Sequence, residues 1–290
     1  MRRRFIDLHT HSTASDGSLP PAEVVWQADR RRLAVVALTD HDTTAGLAEA
    51  RAAADDFEDL RFVAGIEVSA RFQPGTMHIL GLGIDEDSPA LGDLARFLRE
   101  ARKQRNPQIV ARLQALGVQI DMDDVLAVAA GAHGQIDDRP IGRMHIAEAM
   151  RRKGLVRGTD EAFEKFLAKG GPAYVDRERW TPTRTIQAIR DAGGVPVLAH
   201  PVQLNYDNRA QLMRIVRNLA AHGLEGIEAY HGDHSARQTR FYIALAKRLD
   251  LGITGGSDFH GPAKPQAQLG RPRVPLSVLT DGLLQRLMLS

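Results

Sequence analysis

The chain has 290 residues, of which 43% are hydrophobic and 26% charged, and its formal net charge at pH 7 is +2. This composition is typical of a globular protein, and so small a net charge does not by itself indicate a nucleic-acid partner. The absence of cysteine excludes disulfides and thiolate zinc sites. Because we find no secretory signal and no run of roughly 18 apolar residues, we expect a cytoplasmic protein without a membrane partner.

The first predicted element is a buried strand at Phe5 to Leu8, an apolar run with no helical period. His9 and His11 follow it. Side chains two apart on an extended backbone point to the same face, so both imidazoles would converge on one point, as metal ligation requires. Taken alone, a His-x-His pair is more often two core or surface histidines, and the metal interpretation depends on the rest of the chain.

Strands and helices alternate through the first third of the chain and again toward its end. Apolar runs at residues 33–38, 62–66, 195–199 and 226–230 predict buried strands, and residues 172–175 a short one. A closing strand and helix are expected within residues 269–289. With about seven strands outside the central region, the repeated βα units predict a barrel or a doubly wound sheet.

The central region has a different pattern. From about residue 88 to 169 the chain is charged, helical in period and poor in strands. Asp137 to His145 is typical of a helix start, with acids near the cap and Pro140 in the first turn. We interpret residues 103–168 as an inserted helical cap that contacts substrate, and residues 1–102 and 169–290 as the α/β domain that carries it.

Polar side chains directly follow the predicted strands, the position where active residues of βα barrels cluster. His78 is an exception because it precedes its apolar run, but a hairpin after Glu67 would bring it to the same edge. Nine residues, histidines and carboxylates, are the candidate metal ligands: His9, His11, Asp16, His41, Glu67, His78, His200, Asp258 and His260. So many ligands suit two or three divalent ions bridged by Glu67, and nitrogen and oxygen donors allow Mn, Fe, Zn or Co.

These segments resemble the signature of the PHP (polymerase and histidinol phosphatase) phosphoesterases, in the family's order and over nearly the whole chain. The matching segments are His9-Thr10-His11, Asp16-Gly17, Thr39-Asp40-His41-Asp42, Gly65-Ile66-Glu67-Val68-Ser69, His78, Ala199-His200-Pro201 and Gly256-Ser257-Asp258-Phe259-His260. The resemblance implies a distorted seven-stranded (β/α)7 barrel with a trinuclear site, expected to hold manganese, with iron or zinc as alternatives.

The resemblance also implies how the ligands divide among three ions. The three sets are His9, His11, Glu67 and Asp258; Glu67, His78 and His200; and Asp16, His41 and His260.

Within that family, residues 141–145 and 169–175 resemble the nucleoside 3′,5′-bisphosphate phosphatases, whose relatives include 5′→3′ exoribonucleases. This likeness implies that Arg143 and His145 act on the substrate phosphate, and Lys169 and His231 are further candidates for substrate binding. One departure is that Val202 to Leu204 replaces a Gly-Arg-Tyr triplet of close relatives, so a phosphate-binding arginine is absent there.

The expected reaction is hydrolysis of a phosphomonoester of a nucleotide or short oligonucleotide, with no stable protein partner. Bound divalent ions lower the pKa of water toward about 7, so we expect a hydroxide bridging two metals to attack phosphorus in line. Arg143 would add bidentate charge-assisted bonds to the phosphate. His145 and His231 are both candidates for protonating the leaving alkoxide.

Three alternatives remain open at the level of sequence. The substrate could be another small phosphoester such as histidinol phosphate. Related metallo-barrels hydrolyse amides or lactones, which is an argument from fold alone. The cluster could also be structural and the chain a non-catalytic metal-binding module, although the complete set of ligands argues against this.

Overall fold

The computed structural model describes residues 4–130, 141–287 and 289. The chain divides into two compact units, one formed by Met1–Ala95 with Arg179–Ser290 and the other by Arg96–Glu178. Within the described residues, no helix is both long enough and apolar enough to cross a bilayer.

The first unit is built on one sheet, to which eight strands contribute in the described part of the chain. They are β1 (Phe5–Asp7), β2 (Val35–Leu38), β3 (Arg61–Ala70), β4 (Met77–Leu82), β5 (Val195–Leu198), β6 (Gly226–Tyr230), β7 (Gly252–Gly255) and β8 (Val274–Pro275). Their order in the sheet is β7-β6-β5-β4-β3-β2-β1-β8.

Most neighbouring strands run parallel, and β4 is the main exception. The pairs β1–β2, β2–β3, β5–β6 and β6–β7 are parallel, whereas β4 is antiparallel to both β3 and β5. β3 and β4 form the expected hairpin, in which Ser69 lies opposite His78. The carboxyl end of β3 and the start of β4 therefore lie at the same edge of the sheet.

The predicted strand number, seven, is wrong, because the sheet has eight strands. β8 is only two residues long and pairs antiparallel with β1, with Val274 opposite Ile6. The predicted strand at residues 172–175 is turn and irregular chain. Apolar runs are a weak guide to elements this short, because backbone pairing with a distant partner decides whether they are strands.

The sheet nearly closes into a barrel. The Leu8 backbone N–H, just after β1, donates to the Gly255 carbonyl at the end of β7 at 3.1 Å. Two residues further on, Thr10 and Phe259 form a parallel bridge. The chain segments that leave β1 and β7 therefore run side by side, although those strands come from opposite ends of the sequence.

Helices follow most strands of the first unit and make up the second. Their bounds are α1 (Pro21–Arg30), α2 (Leu47–Ala54), α3 (Pro89–Ala115), α4 (Met122–Ala130), α5 (Arg143–Arg152), α6 (Thr159–Ala162), α7 (Pro182–Asp191), α8 (Arg209–Ala221), α9 (Ala236–Arg248) and α10 (Asp281–Arg286). Hydroxyl or amide side chains cap several of them, as where Thr181 accepts from the Arg184 N–H.

Each unit has its own apolar core. In the first, side chains from the interior of the sheet pack with the C-terminal segment, including Leu82, Val197 and Leu283. In the second, helices α3 to α6 bury Leu113, Ile146 and their neighbours. Of the predicted helix start at residues 137–145, residues 137–140 lie outside the described part of the chain, and α5 begins at Arg143.

We predict that Leu82→Ala lowers the free energy of unfolding of the first unit by about 2–5 kcal/mol, because it leaves a cavity in a fully buried part of the core. Arg214→Ala, at an exposed side chain on α8 of the same unit, should change it by less than about 0.5 kcal/mol. Both tryptophans, Trp26 and Trp180, lie in the first unit. Urea unfolding followed by tryptophan fluorescence measures both variants, and equal losses would contradict the assignment of this core.

Candidate metal centre

The candidate ligands leave the sheet at the edge where the parallel strands end. His9 and His11 follow β1, His41 follows β2 and His200 follows β5. Glu67 and His78 lie on the β3–β4 hairpin, and Asp258 and His260 follow β7. Thr10, between the two N-terminal histidines, points the other way and donates to the Ala37 carbonyl at 2.6 Å. This alternation directs both histidines to one side.

The Glu67 carboxylate lies at the centre of the cluster and is 1% exposed. Its Oε1 lies 2.8 Å from His78 Nδ1 and 2.9 Å from His200 Nε2. Its Oε2 lies 3.0 Å from His41 Nδ1, 3.2 Å from His11 Nε2 and 3.3 Å from His9 Nε2. One carboxylate therefore faces imidazoles that follow β1, β2 and β5 or lie on β4.

Two further carboxylates complete the cluster. Asp258 Oδ1 lies 3.2 Å from His11 Nε2 and 3.5 Å from His9 Nε2. Asp16, in the loop after β1, places its Oδ1 3.3 Å from His260 Nε2. His260 Nδ1 donates to the Asp258 carbonyl at 2.8 Å, so the Nε2 of the neutral ring keeps its lone pair toward Asp16.

The structure thus brings all nine predicted ligands together. Among these nine, three groups with donor atoms within 4.8 Å of one another could hold a metal: His9, His11, Glu67 and Asp258; His11, Asp16, His41 and His260; and His41, Glu67 and His78. The first matches a predicted set, and the second contains another. The third predicted set, Glu67, His78 and His200, does not form such a group, although both of its histidines contact Glu67 Oε1. The role of the nine as ligands stays a prediction.

The donors fit a cation because several are buried without a hydrogen-bond partner among the described residues. They are His9 Nε2, both ring nitrogens of His11, His41 Nδ1, Glu67 Oε2 and His200 Nδ1. A buried polar atom without a partner costs roughly 1–3 kcal/mol. So many of them around two carboxylates form a donor set that divalent ions satisfy.

The charges in the cluster are strongly coupled. Burial opposes ionisation of Glu67, yet the surrounding histidines, His41 foremost, hold the pKa of its carboxyl well below the usual range. Burial also disfavours the imidazolium of His11, but Asp258 and Glu67 raise the pKa of His11 to about 10. His41 differs, because burial lowers its pKa to about 4. Protons on part of the histidines thus balance the carboxylates, and cations would compete for the same atoms.

Other buried carboxylates hold the loops that carry the ligands. Asp7 accepts from the backbone N–H groups of Ser257 and Gly270 at 2.9 and 2.7 Å. Asp40 accepts from the Ser12 N–H at 2.8 Å and from the Ser15 hydroxyl at 2.5 Å. These bonds fix the backbone beside Asp258 and Asp16.

Three residues near the cluster were not predicted as ligands. His231, predicted to bind substrate, places its Nε2 3.6 Å from Asp258 Oδ2, and Lys264 Nζ lies 2.6 Å from the same oxygen. Glu228, in β6, contacts His9. A carboxylate inside an apolar strand was the available signal for Glu228, whereas nothing in the sequence around Lys264 marked it.

The predicted phosphate-contacting residues Arg143, His145 and Lys169 lie in the second unit. Arg143 donates to the Leu167 carbonyl at 2.8 Å, and its guanidinium lies over the Tyr174 ring, 5.1 Å from the centroid. His145 Nδ1 accepts from the Gly142 N–H at 3.1 Å. Their contact with substrate stays a prediction.

Comparison with known proteins gives consistent matches. The family model described as PHP domain matches residues 7–139. A 3′,5′-nucleoside bisphosphate phosphatase of Chromobacterium violaceum is 38% identical over 268 residues, which cover 91% of this chain and 90% of that protein. A 5′-3′ exoribonuclease of Haemophilus influenzae is 33% identical over 257 residues, covering 88% and 90%.

The fold also matches solved structures. A Bifidobacterium adolescentis protein assigned as a metal-dependent phosphoesterase aligns with a TM-score of 0.86 at 31% identity, covering 97% of this chain and 96% of that one.

We predict that Gly256→Ala disrupts the cluster, because a Cβ there would approach the His9 backbone nitrogen to 2.6 Å. Overpacking of this kind costs about 1–3 kcal/mol, and displacement of His9 should weaken binding of Mn²⁺ in calorimetric titration. Gly92→Ala is the control: a Cβ there meets no atom within 4 Å, and in a helix it should stabilise the protein by up to about 1 kcal/mol. Unchanged Mn²⁺ binding by Gly256→Ala would contradict the need for this close approach.

Proposed function

Because the chain belongs to the PHP domain family of metal-dependent phosphoesterases, we propose that this phosphoester hydrolase removes a phosphate from a nucleotide 3′,5′-bisphosphate. The observation that carries the proposal is the buried Glu67 carboxylate, enclosed by imidazoles from four parts of the sheet. The Chromobacterium relative, similar over nine-tenths of both chains, supports the choice of substrate.

We assign the nine clustered residues as the ligands of two or three divalent ions, with manganese as the proposed metal. Glu67 is the natural bridge, since each of its oxygens faces a different group of histidines. When bound, divalent ions supply positive charge for the phosphate oxygens and lower the pKa of water toward about 7.

The two carboxylate oxygens of Asp258 have different partners, and we assign the side of Oδ2 to the substrate. Its Oδ1 points to His9 and His11, whereas its Oδ2 lies between Lys264 and His231. Burial disfavours the ammonium of Lys264, but the Asp258 carboxylate raises its pKa, so Lys264 is a cation at neutral pH. Because 23% of its side chain is exposed, Lys264 can move its ammonium group away from Asp258 and donate hydrogen bonds to a substrate phosphate instead.

His231 is assigned to the leaving group. The Asp233 backbone N–H donates to His231 Nδ1 at 3.1 Å, so the neutral ring carries its proton on Nε2. That nitrogen is buried, has no hydrogen-bond partner among the described residues, and lies on the Asp258 side of the ring. We assign His231 Nε2 as the donor to the leaving oxygen of the phosphoester.

A second candidate activity is 5′→3′ exonuclease action on short RNA. The Haemophilus relative, 33% identical over 257 residues, favours it. Both activities would use the same metal ligands, and they differ in the leaving group of the phosphoester. Arg143, His145 and Lys169 remain the proposed phosphate contacts of the second unit.

We predict that the protein with Mn²⁺ releases phosphate from adenosine 3′,5′-bisphosphate, that chelation abolishes the release, and that Asp258→Asn lowers it by at least about 100-fold. This estimate follows because removing even an outer partner of a metal ligand costs roughly 10–100-fold. Asp250→Asn is the matched control, since Asp250 and Asp258 have the same φ of 53° and asparagine tolerates that conformation.

Circular dichroism would check that both variants fold. A folded Asp258→Asn protein with wild-type turnover would refute the assigned site. Turnover of histidinol phosphate, an amide or 5′-phosphorylated RNA in strong preference to the bisphosphate would refute the assigned substrate.

We predict that Lys264→Met raises KM for the bisphosphate about tenfold or more, because a hydrogen bond to a charged group contributes roughly 1.5–3 kcal/mol. Lys247→Met, on the exposed face of α9, should leave KM unchanged. Mn²⁺ titration of both variants separates the two possible roles of Lys264. An unchanged KM with weaker Mn²⁺ binding would show that Lys264 only holds Asp258.

A further inference from the structure

Glu228 is a buried carboxylate that joins two candidate ligands from different strands. It lies in β6 with no exposed surface. Its Oε1 lies 2.9 Å from His9 Nδ1, and its Oε2 accepts the backbone N–H of His200 at 2.8 Å. One side chain therefore contacts the segments that follow β1 and β5.

The contact with His9 fixes which ring nitrogen can bind a cation. A carboxylate only accepts hydrogen bonds, so His9 Nδ1 must carry the proton that it donates to Glu228. The lone pair of the neutral ring is then on Nε2. That atom is buried and faces Glu67 Oε2 at 3.3 Å and Asp258 Oδ1 at 3.5 Å.

The contact with His200 supports an unusual backbone. His200 has a φ of 21° and a ψ of 70°, in a region that non-glycine residues rarely adopt. Such a conformation persists only when surrounding contacts hold it. The Glu228 Oε2 bond provides one, and it keeps the His200 ring at Glu67, with Nε2 2.9 Å from Oε1.

Donor atoms of His9, Glu228 and His231 also lie within 4.8 Å of one another, so a further cation site is the competing interpretation. The hydrogen bonds argue against it. Glu228 Oε1 accepts a hydrogen bond from His9 Nδ1, and Glu228 Oε2 accepts one from the His200 backbone N–H, so neither carboxylate oxygen lacks a partner. His231 Nδ1 accepts from the Asp233 N–H, so its other nitrogen carries a proton in the neutral ring.

We propose that Glu228 is a positioning residue of the metal centre: it selects the His9 tautomer that leaves Nε2 free for a cation and holds the His200 backbone. The proposal rests on the proposed function, because it assumes that His9 and His200 bind metal. Glu228 itself contacts neither metal nor substrate, so its effect is on affinity and not on the number of ions.

The test is Glu228→Gln. An amide presents only one oxygen, so its NH2 group must face either the His9 Nδ1–H or the His200 N–H, donor against donor. We expect Mn²⁺ titration to give the wild-type stoichiometry with about 10–100-fold weaker binding of at least one ion. Raised Mn²⁺ should restore activity. The control is Glu225→Gln. Glu225 forms an ion pair with Arg286, with 2.8 Å between Oε2 and Nη1, and this variant should bind Mn²⁺ like the wild type.

A spectroscopic measurement separates positioning from a loss of folding. In the metal-free wild type, at a pH high enough for the His9 ring to be neutral, ¹⁵N–¹H correlation of the histidine rings should show His9 with its proton on Nδ1, assigned by comparison with His9→Gln. In Glu228→Gln that signal should change to a mixture of tautomers, while the backbone amide spectrum stays that of a folded protein.

The outcomes are distinguishable from failure of the proposed function. If the wild type binds no Mn²⁺, the proposed metal centre fails. If the wild type binds Mn²⁺ and Glu228→Gln binds it equally well, only the role of Glu228 is overturned. Loss of one whole equivalent of Mn²⁺, with the remaining ions bound as tightly as before, would make Glu228 a ligand and overturn positioning.

Discussion

The structure depends on one buried charge, the Glu67 carboxylate. A buried ion is costly unless it is paired and hydrogen-bonded. Here the partners are imidazoles from segments that are distant in sequence, such as His11 and His200. The sheet must nearly close for them to meet, so its curvature and the cluster support each other. The nearly closed sheet thus brings the candidate ligands together at the edge where its parallel strands end.

Around this charge lies a set of acids with a different task. Asp7, Asp40 and Glu228 are all buried, and each accepts a hydrogen bond from a backbone N–H group of a segment that carries a candidate ligand. Such bonds hold a ligand loop in one geometry before any cation arrives, which reduces the ordering that binding requires. Asp7, Asp40 and Glu228 are therefore supporting carboxylates that lie outside the nine candidate ligands.

The two carboxylate oxygens of Asp258 have different partners. Asp258 presents one oxygen to His9 and His11 and the other to Lys264 and His231. In the proposed reaction, the positive charge of Lys264 and the proton of His231 would therefore meet the phosphoester on the same side. A phosphoester held there would have its two chemical requirements, charge neutralisation and leaving-group protonation, met by separate groups.

The sequence alone determined which residues follow each strand, because apolar runs locate strand ends and strand ends locate the polar side chains. It thereby predicted the nine residues that the structure brings together and a βα architecture, either a barrel or a doubly wound sheet, and the family resemblance pointed to the barrel. Tertiary structure decided the rest. The eighth strand exists only by pairing with β1. Glu228 meets His9 across 219 residues. The local hydrophobic pattern of the sequence predicts which residues are buried. Which buried residues contact one another depends on how distant segments pair when the sheet forms.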